Sequence, residues 1–230
     1  MALPNEIPFC PADFSGIARL FPLPDYVMFP HVVQPFHIFE DRNRALLASA
    51  LRDDKLITIV QLAHGWESAD DSRPSIVEVG CLGKILTHVR LEDGHYNLML
   101  AGLRRVRIVR ELEPRHEFRE AHVELLEDFY PGSGAEVRQA NQKLLLQRFR
   151  AYLPQVSESH QKFDELLEGP ISLGMLTDFM ACFVNLDSRE KQQLLDQVNV
   201  DLRMKQLLEI LECSAERSGS KSFPPQFSLN

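Results

Sequence analysis

A proline-broken apolar run most constrains what this chain can fold into. From Leu20 it reads LFPLPDYVMFPHVVQPFHIFEDR, with Pro22, Pro24, Pro30 and Pro35 set among Leu, Phe and Val. Proline has no N–H to donate to a ladder, so the run is not a central strand. It is also too apolar for a solvated loop. Residues 19–23 and 26–29 therefore read as short strand edges or strand ends. Pro30 and Pro35 are expected to bracket the turn into a helix that starts near Glu40.

That helix spans 40–53, because Leu46, Leu47, Ala50 and Leu51 share one stripe and Glu40 and Asp41 suit its first turn. Residues 56–62 (LITIVQL) form a continuous β-branched run, which fits a strand covered on both faces. Residues 64–75 are a polar loop. Residues 76–91 and 95–110 flank Glu92-Asp93-Gly94, a hairpin signal. Gly102 interrupts the second arm and predicts a bulge or bend. Beyond it Val106 and Ile108 face the core, and Arg105 and Arg107 are expected to face water. Residues 119–125 alternate as a half-exposed strand. Long strands, a bulge and a single helix predict a small closed or nearly closed β-barrel.

The strands stop at Tyr130-Pro131-Gly132-Ser133-Gly134. Helical patterns then follow at 135–153, 161–168, 172–185 (after a Ser172 cap), 188–197 (after Asp187, with Glu190 completing a capping box) and 200–216. The last carries Val200, Met204, Leu207, Leu208 and Leu211 on one stripe. The expected class is α+β: an N-terminal arm (1–17), a β-barrel subdomain with one helix (18–130), a helical subdomain (131–216) and a disordered tail (217–230), joined near 128–135.

The 230 residues hold 44% hydrophobic and 25% charged side chains, a globular balance, with a net charge of -8. That acidity makes nucleic acid an unlikely partner. Cys10, Cys81, Cys182 and Cys213 form no CxxC pair, so they read as buried free thiols rather than zinc ligands or disulfides. His31 and His37 straddle the proline-rich turn without the carboxylate or thiol spacing of a metal site. His88 and His122 read as surface or interface positions. Met175, Met180 and Met204 read as core. The carboxylate pairs Asp53-Asp54 and Asp70-Asp71 sit at element ends or in loops, where solvation or capping accounts for them. There is no Walker A, GxSxG, HExxH or GxGxxG motif, so no catalytic residue and no cofactor is expected. The start MALPNEIPFCPADF lacks the basic and apolar regions of a signal peptide, and no run is long enough to span a membrane, so a cytoplasmic protein is expected.

The proline-broken segment resembles the start of the N-terminal domain of Lon proteases, through Leu23, Val27, Phe29, Pro30, Pro35, Ile38, Arg42 and Ala45-Leu46. A second signature is similar across VEVGCLGKILTHVRLEDGHYNLMLAGLRRVRI, through Gly80, Ile85, Asp93, Gly94, Gly102, Arg105 and Ile108. The helical stretch LTDFMACFVNLDSREKQQLLDQVNVDLRMKQLLEILE resembles the end of the same region. The resemblance runs from about Arg19 to Glu216. It implies a PUA-like β-barrel followed by a helical bundle. Because the ATPase and Ser–Lys protease modules do not follow, it implies a stand-alone, non-enzymatic form.

The function then expected is recognition of unfolded or client polypeptides, with a protease or chaperone as a further partner. The surface expected to carry it is apolar and lies between barrel and helices, with Phe29, Pro30, Phe36, Phe39 and Arg42 as candidates; core packing is the competing reading of the three phenylalanines. The alternative is a PUA-like binder of a small ligand or nucleic acid, using His95, Arg104, Arg105 and Arg107, for which an outward strand face with salt bridges is the competing reading.

Overall fold

The computed structural model describes residues 7–68, 73–152 and 171–214. The expectations for the 161–168 helix, Asp70-Asp71, the side chain of Cys213 and the tail lie outside the described residues. The strands are β1 (Ile17–Leu23), β2 (Val33–Ile38), β3 (Leu56–Gln61), β4 (Val79–Arg90), β5 (Tyr96–Glu111) and β6 (Arg119–Leu126). The helices are α1 (Asp41–Arg52), α2 (Ala135–Tyr152), α3 (Leu173–Phe183), α4 (Ser188–Asp196) and α5 (Val200–Ser214).

The strand order is β2-β5-β4-β3-β1-β6, and β6 returns to pair with β5. The ring β5-β4-β3-β1-β6 is thereby closed, and β2 is an added edge. β5, at 16 residues, serves both: its first half pairs with β2 and its second half with β6. Of these six strands, β1 and β3 pair in parallel and the other pairings are antiparallel. At the changeover the register on β4 slips, from Leu82 opposite Arg104 to Gly83 opposite Gly102, so Leu103 is the extra residue of a bulge. Glycine is required at 102, because a Cβ there would lie 2.1 Å from the Phe29 carbonyl oxygen. The β4–β5 turn is the expected one: Gly94 has φ +83 and donates to the Leu91 carbonyl at 3.0 Å.

The proline-broken run differs from expectation in detail. Pro22 and Pro35 lie inside β1 and β2 rather than at their ends. Both remain compatible with a ladder. Pro22 lies beyond the span that β6 pairs, and β2 is an edge strand. Residues 26–29 form no strand; they are a loop whose Val27, Met28 and Phe29 are buried.

The apolar residues separate into three clusters. Ala18, Leu20, Val60, Leu82, Val106, Ala121 and Val123 fill the barrel, each strand of the ring contributing. Alternate residues (Phe21, Leu23, Ile57, Ile59) point outwards, where Leu46, Leu47 and Ala50 of α1 cover them together with Phe36, Ile38, Leu98 and Leu100. β3 is therefore buried along its whole length, as its β-branched run predicts. Residues 7–16 lie on the surface, with Ile7, Phe9 and Phe14 against the barrel cluster.

The third cluster unites α2 to α5 with Val27, Phe29, Val32 and Val79 of the barrel half. The expected caps are present: Ser172 accepts from the Met175 N–H, and Asp187 and Glu190 form a reciprocal box. Val200, Met204, Leu207 and Leu211 are buried as one stripe of α5.

Ion pairs cross the same junction. Arg105 of β5 donates to both carboxylate oxygens of Asp178 on α3, at 2.9 and 2.5 Å, and to the Leu195 carbonyl at 2.7 Å. Arg203 of α5 donates to Asp128 at 2.8 Å, and its Nε lies 3.4 Å from Asp178. Gln192 of α4 donates to the Val79 carbonyl and Gln34 of β2 to Cys182 Sγ. Arg105 was expected to face water. It is 3% exposed, because the helical half covers the outer face of β5 at that point.

Candidate functional site

The described surface departs from a closed core at the end of the sheet built by β2, β5 and β4. In β2 the residues Gln34, Phe36 and Ile38 are buried, and Pro35 and His37 are half-buried. In β5 Leu98 and Leu100 are buried, and Asn97 and Met99 are half-buried. Register places Pro35 beside Met99 and Thr87, and His37 beside Asn97 and Val89. One face, built by β2, β5 and Ile85, thus packs on α1, whereas β4 is exposed from Leu86 to Arg90; the other face presents Pro35, His37, Met99, Asn97, Thr87 and Val89. Val89 is 60% exposed.

At the outer margin of that face Phe39 follows β2 and His95 precedes β5. The His37 ring stacks on Phe39 at 6.1 Å between centroids and meets His95 edge-on at 5.4 Å. Phe39 and His95 are 6.2 Å apart. The rings are oriented by polar bonds. His37 Nδ1 pairs with Asn97 Oδ1 at 2.8 Å, and His95 Nδ1 with Asp93 Oδ2 at 2.9 Å. Arg44 of α1 reaches the Gly94 carbonyl at 3.4 Å, so the helix start and the hairpin turn hold each other. Arg42 is exposed and paired with Glu40 at 2.6 Å. The result is a rigid aromatic and imidazole ledge beside an apolar strip, suited to receiving side chains rather than to performing chemistry.

The candidates from sequence divide sharply. Phe39, Arg42 and His95 come to this end of the molecule. Phe29, Pro30 and Phe36 do not offer a surface. Phe29 belongs to the core shared with the helices, and Phe36 lies under α1 with Tyr26 edge-on at 5.4 Å. Pro30 is buried where the turn crosses Gly102. The surface expected between barrel and helices is therefore filled by side chains of this chain.

The alternative polar group is dispersed. Arg105 is consumed by Asp178. Arg104 is half-buried and donates to its neighbour's carbonyl, and Arg107 is exposed 3.9 Å from Glu124. His95 stands with the aromatic ledge.

Sequence reasoning missed the partners of Arg105. The signal was present: Asp178 is the only charge in the apolar helix LGMLTDFMACF, and such an acid needs a buried cation. Burial alone would push the Asp178 carboxyl up, but Arg105 and Arg203 outweigh it and hold it below the usual carboxylate range. His31, in a left-handed conformation at φ +62, is lowered chiefly by burial, with Arg104 and Arg105 adding to that effect and Asp178 and Asp128 opposing it. Cys81 is buried and its thiol is pushed far up by that burial, whereas Cys10 is exposed rather than buried as expected. Among the described residues no His, Cys, Asp or Glu group is placed to hold a metal, and no helix is long and apolar enough to cross a membrane.

A family model described as the ATP-dependent protease La (LON) substrate-binding domain matches residues 17–212. The chain belongs to this LON substrate-binding domain family. Its similarity to whole proteins has the same extent. "Lon protease 2" of Myxococcus xanthus is 28% identical over 206 residues, covering 89% of this chain and 24% of that protein. "Lon protease" of Anaeromyxobacter dehalogenans is 27% identical over 206 residues, again 89% and 24%. The chain thus spans about a quarter of the length of these relatives. Among solved structures, the "N terminal domain of Mycobacterium avium complex Lon protease" superposes with a TM-score of 0.64 at 20% identity, covering 85% of this chain and 98% of that one. A "Lon N-terminal domain protein from Xanthomonas campestris" gives 0.57 at 19%, covering 84% and 97%. The α+β fold expected from the resemblance is the fold of these LON-domain structures.

Proposed function

We propose that this chain recognises polypeptide segments without itself performing chemistry on them, and that it receives their apolar and aromatic side chains on the open face of β2, β5 and β4. Membership of the substrate-binding family supports protein substrates as the ligand class. The observation that carries the location is the alternation from Gln34 to Ile38 in β2 and from Asn97 to Leu100 in β5: one face is spent on α1, while the opposite face leaves Met99, the exposed Val89 of β4 and the Phe39–His37–His95 ledge available. This replaces the barrel–helix junction, whose apolar residues already have partners. An unfolded client supplies the exposed aromatic and aliphatic residues that such a face needs; a folded one hides them. Each such anchor contributes roughly 1.5–3 kcal/mol when fully buried, about a tenfold to a hundredfold change in affinity, with a partly covered anchor at the low end.

The test is fluorescence anisotropy with a labelled, permanently unfolded probe, reduced and carboxymethylated α-lactalbumin, against the native form of the same protein. Binding of the unfolded form alone is expected, weakened about tenfold by Val89→Asp or by Phe39→Ala, with the melting temperature held. Equal binding of both forms, or indifference to both substitutions, would overturn the reading.

A further inference from the structure

The arm before β1 lies outside the span matched to the family, which begins at Ile17. Its placement is nevertheless specific. A short 3-10 turn, Pro11–Asp13, is closed by the Phe14 N–H on the Pro11 carbonyl and folds the chain back on itself. Phe9 and Phe14 thereby come within 6.3 Å, ring to ring. Together with Ile7 they pack against the cluster that fills the barrel, as Ile76 and Val77 also do.

Lys84 of β4 reaches across and donates from Nζ to the Pro8 carbonyl at 2.7 Å. Ile7, Phe9 and Phe14 are only partly buried, and the turn buries no residue. Among the described residues 7–15 none belongs to a strand; Gly16, where the arm meets β1, accepts from the Val123 N–H of β6 at 2.8 Å. The barrel interior beneath is completed by the strands' own Ala18, Leu20, Val60, Leu82, Val106, Ala121 and Val123. Residues 7–15, held upstream of that bond by a few half-buried side chains and one lysine, open more readily than the strands they cover.

We propose that the mouth of the barrel is a second peptide-binding groove, which the chain's own N-terminal arm keeps occupied. Its external ligand is an extended segment of the pattern F-x-P-x-x-F, the arrangement presented by Phe9, Pro11 and Phe14. The aromatic pair fills the apolar mouth. Lys84 takes a main-chain carbonyl, which any sequence supplies, so selectivity rests on the two rings and the proline turn. The arm acts as a tethered competitor. A tether this short holds it at an effective concentration in the millimolar range, enough to exclude a free peptide present at micromolar concentration. This inference stands on different residues from the client-binding reading.

The experiment uses the full-length chain and a fluorescein-labelled peptide, IPFSPADFSG, which copies residues 7–16 with Ser in place of Cys10. The double variant Phe9→Ala/Phe14→Ala, which frees the groove, is expected to bind the peptide saturably and at least about tenfold more tightly than the unmodified chain does. Adding Lys84→Ala should weaken that binding several-fold, and a peptide with both Phe replaced by Ala should not bind. Adding Val89→Asp should leave it unchanged, which separates this result from any failure of the client-binding face. Equal weak binding by the unmodified chain and the double variant would overturn the proposal. So would loss of cooperative unfolding in the double variant, since the arm would then be part of the core rather than a displaceable strap.

Discussion

Replacing Asp178 by Asn tests how the two halves are joined. Asp178 is fully buried and accepts two bonds from Arg105, with Arg203 Nε 3.4 Å away and Asp128 3.5 Å from Arg105. Two arginines and two aspartates make the cluster neutral. Asparagine keeps the shape but leaves one buried positive charge uncompensated. Removing one partner of a buried pair costs about 3–5 kcal/mol. For a chain of this size each kcal/mol lowers the melting temperature by about 2–4 °C, so a drop of roughly 6–20 °C is expected. Thermal unfolding followed by circular dichroism reads it directly. The decisive comparison is Arg105→Met/Asp178→Leu, which removes one charge of each sign and leaves Arg203 paired with Asp128. It should recover more than half of the loss, because parity rather than the particular bond is being tested. If the double variant is as unstable as Asp178→Asn, or if Asp178→Asn shifts melting by less than about 2 °C, the reasoning is wrong. Acid provides an independent check. The native Asp178 carboxyl titrates below its unfolded value, so its stabilisation is complete above about pH 4 and is lost as pH falls through the native value. Asp178→Asn should flatten that part of the stability curve.

Two further outcomes follow from the turn over β5. His31 titrates lower in the folded chain than unfolded, so the unfolded state takes up its proton first; stability is full above about pH 6.5 and falls as pH drops below it. His31→Asn, which tolerates the left-handed backbone, should reduce this slope between about pH 5 and 7 in urea titrations. Gly102→Ala sets a methyl against the Phe29 backbone and should destabilise by about 3 kcal/mol, whereas Gly132→Ala, with nothing within 4 Å, should change melting hardly at all.

Where one periodicity dominates, the fold could be read before it was seen. LITIVQL declared a strand covered twice, the Asp93-Gly94 step set the hairpin, and the Asp187 and Glu190 box placed the start of α4. Residues whose fate depends on a distant segment were not legible. Phe29 and Phe39 are alike in sequence, but α2 to α5 close over the first and leave the second open. Arg105 sits in an alternating arginine pair that reads as water-facing on both sides of Val106. Only the arrival of Asp178, 73 positions later, converts it to an internal charge. The aromatic ledge was half visible: Phe39 and His95 were candidates, but their meeting with His37 depends on a strand pairing that no local pattern encodes.

Pro35 has a consequence for how such a protein could release what it holds. The Val32 carbonyl accepts from the Gly102 N–H on β5, so by alternation residue 35 directs its backbone towards the free edge of β2. There, a proline offers a visiting strand no hydrogen at mid-length. An unfolded guest on the neighbouring face could therefore be gripped by its side chains but not stitched into the sheet as a seventh strand. Contacts of that kind come apart one at a time, whereas an annealed ladder would turn a transient host into a seed for aggregation.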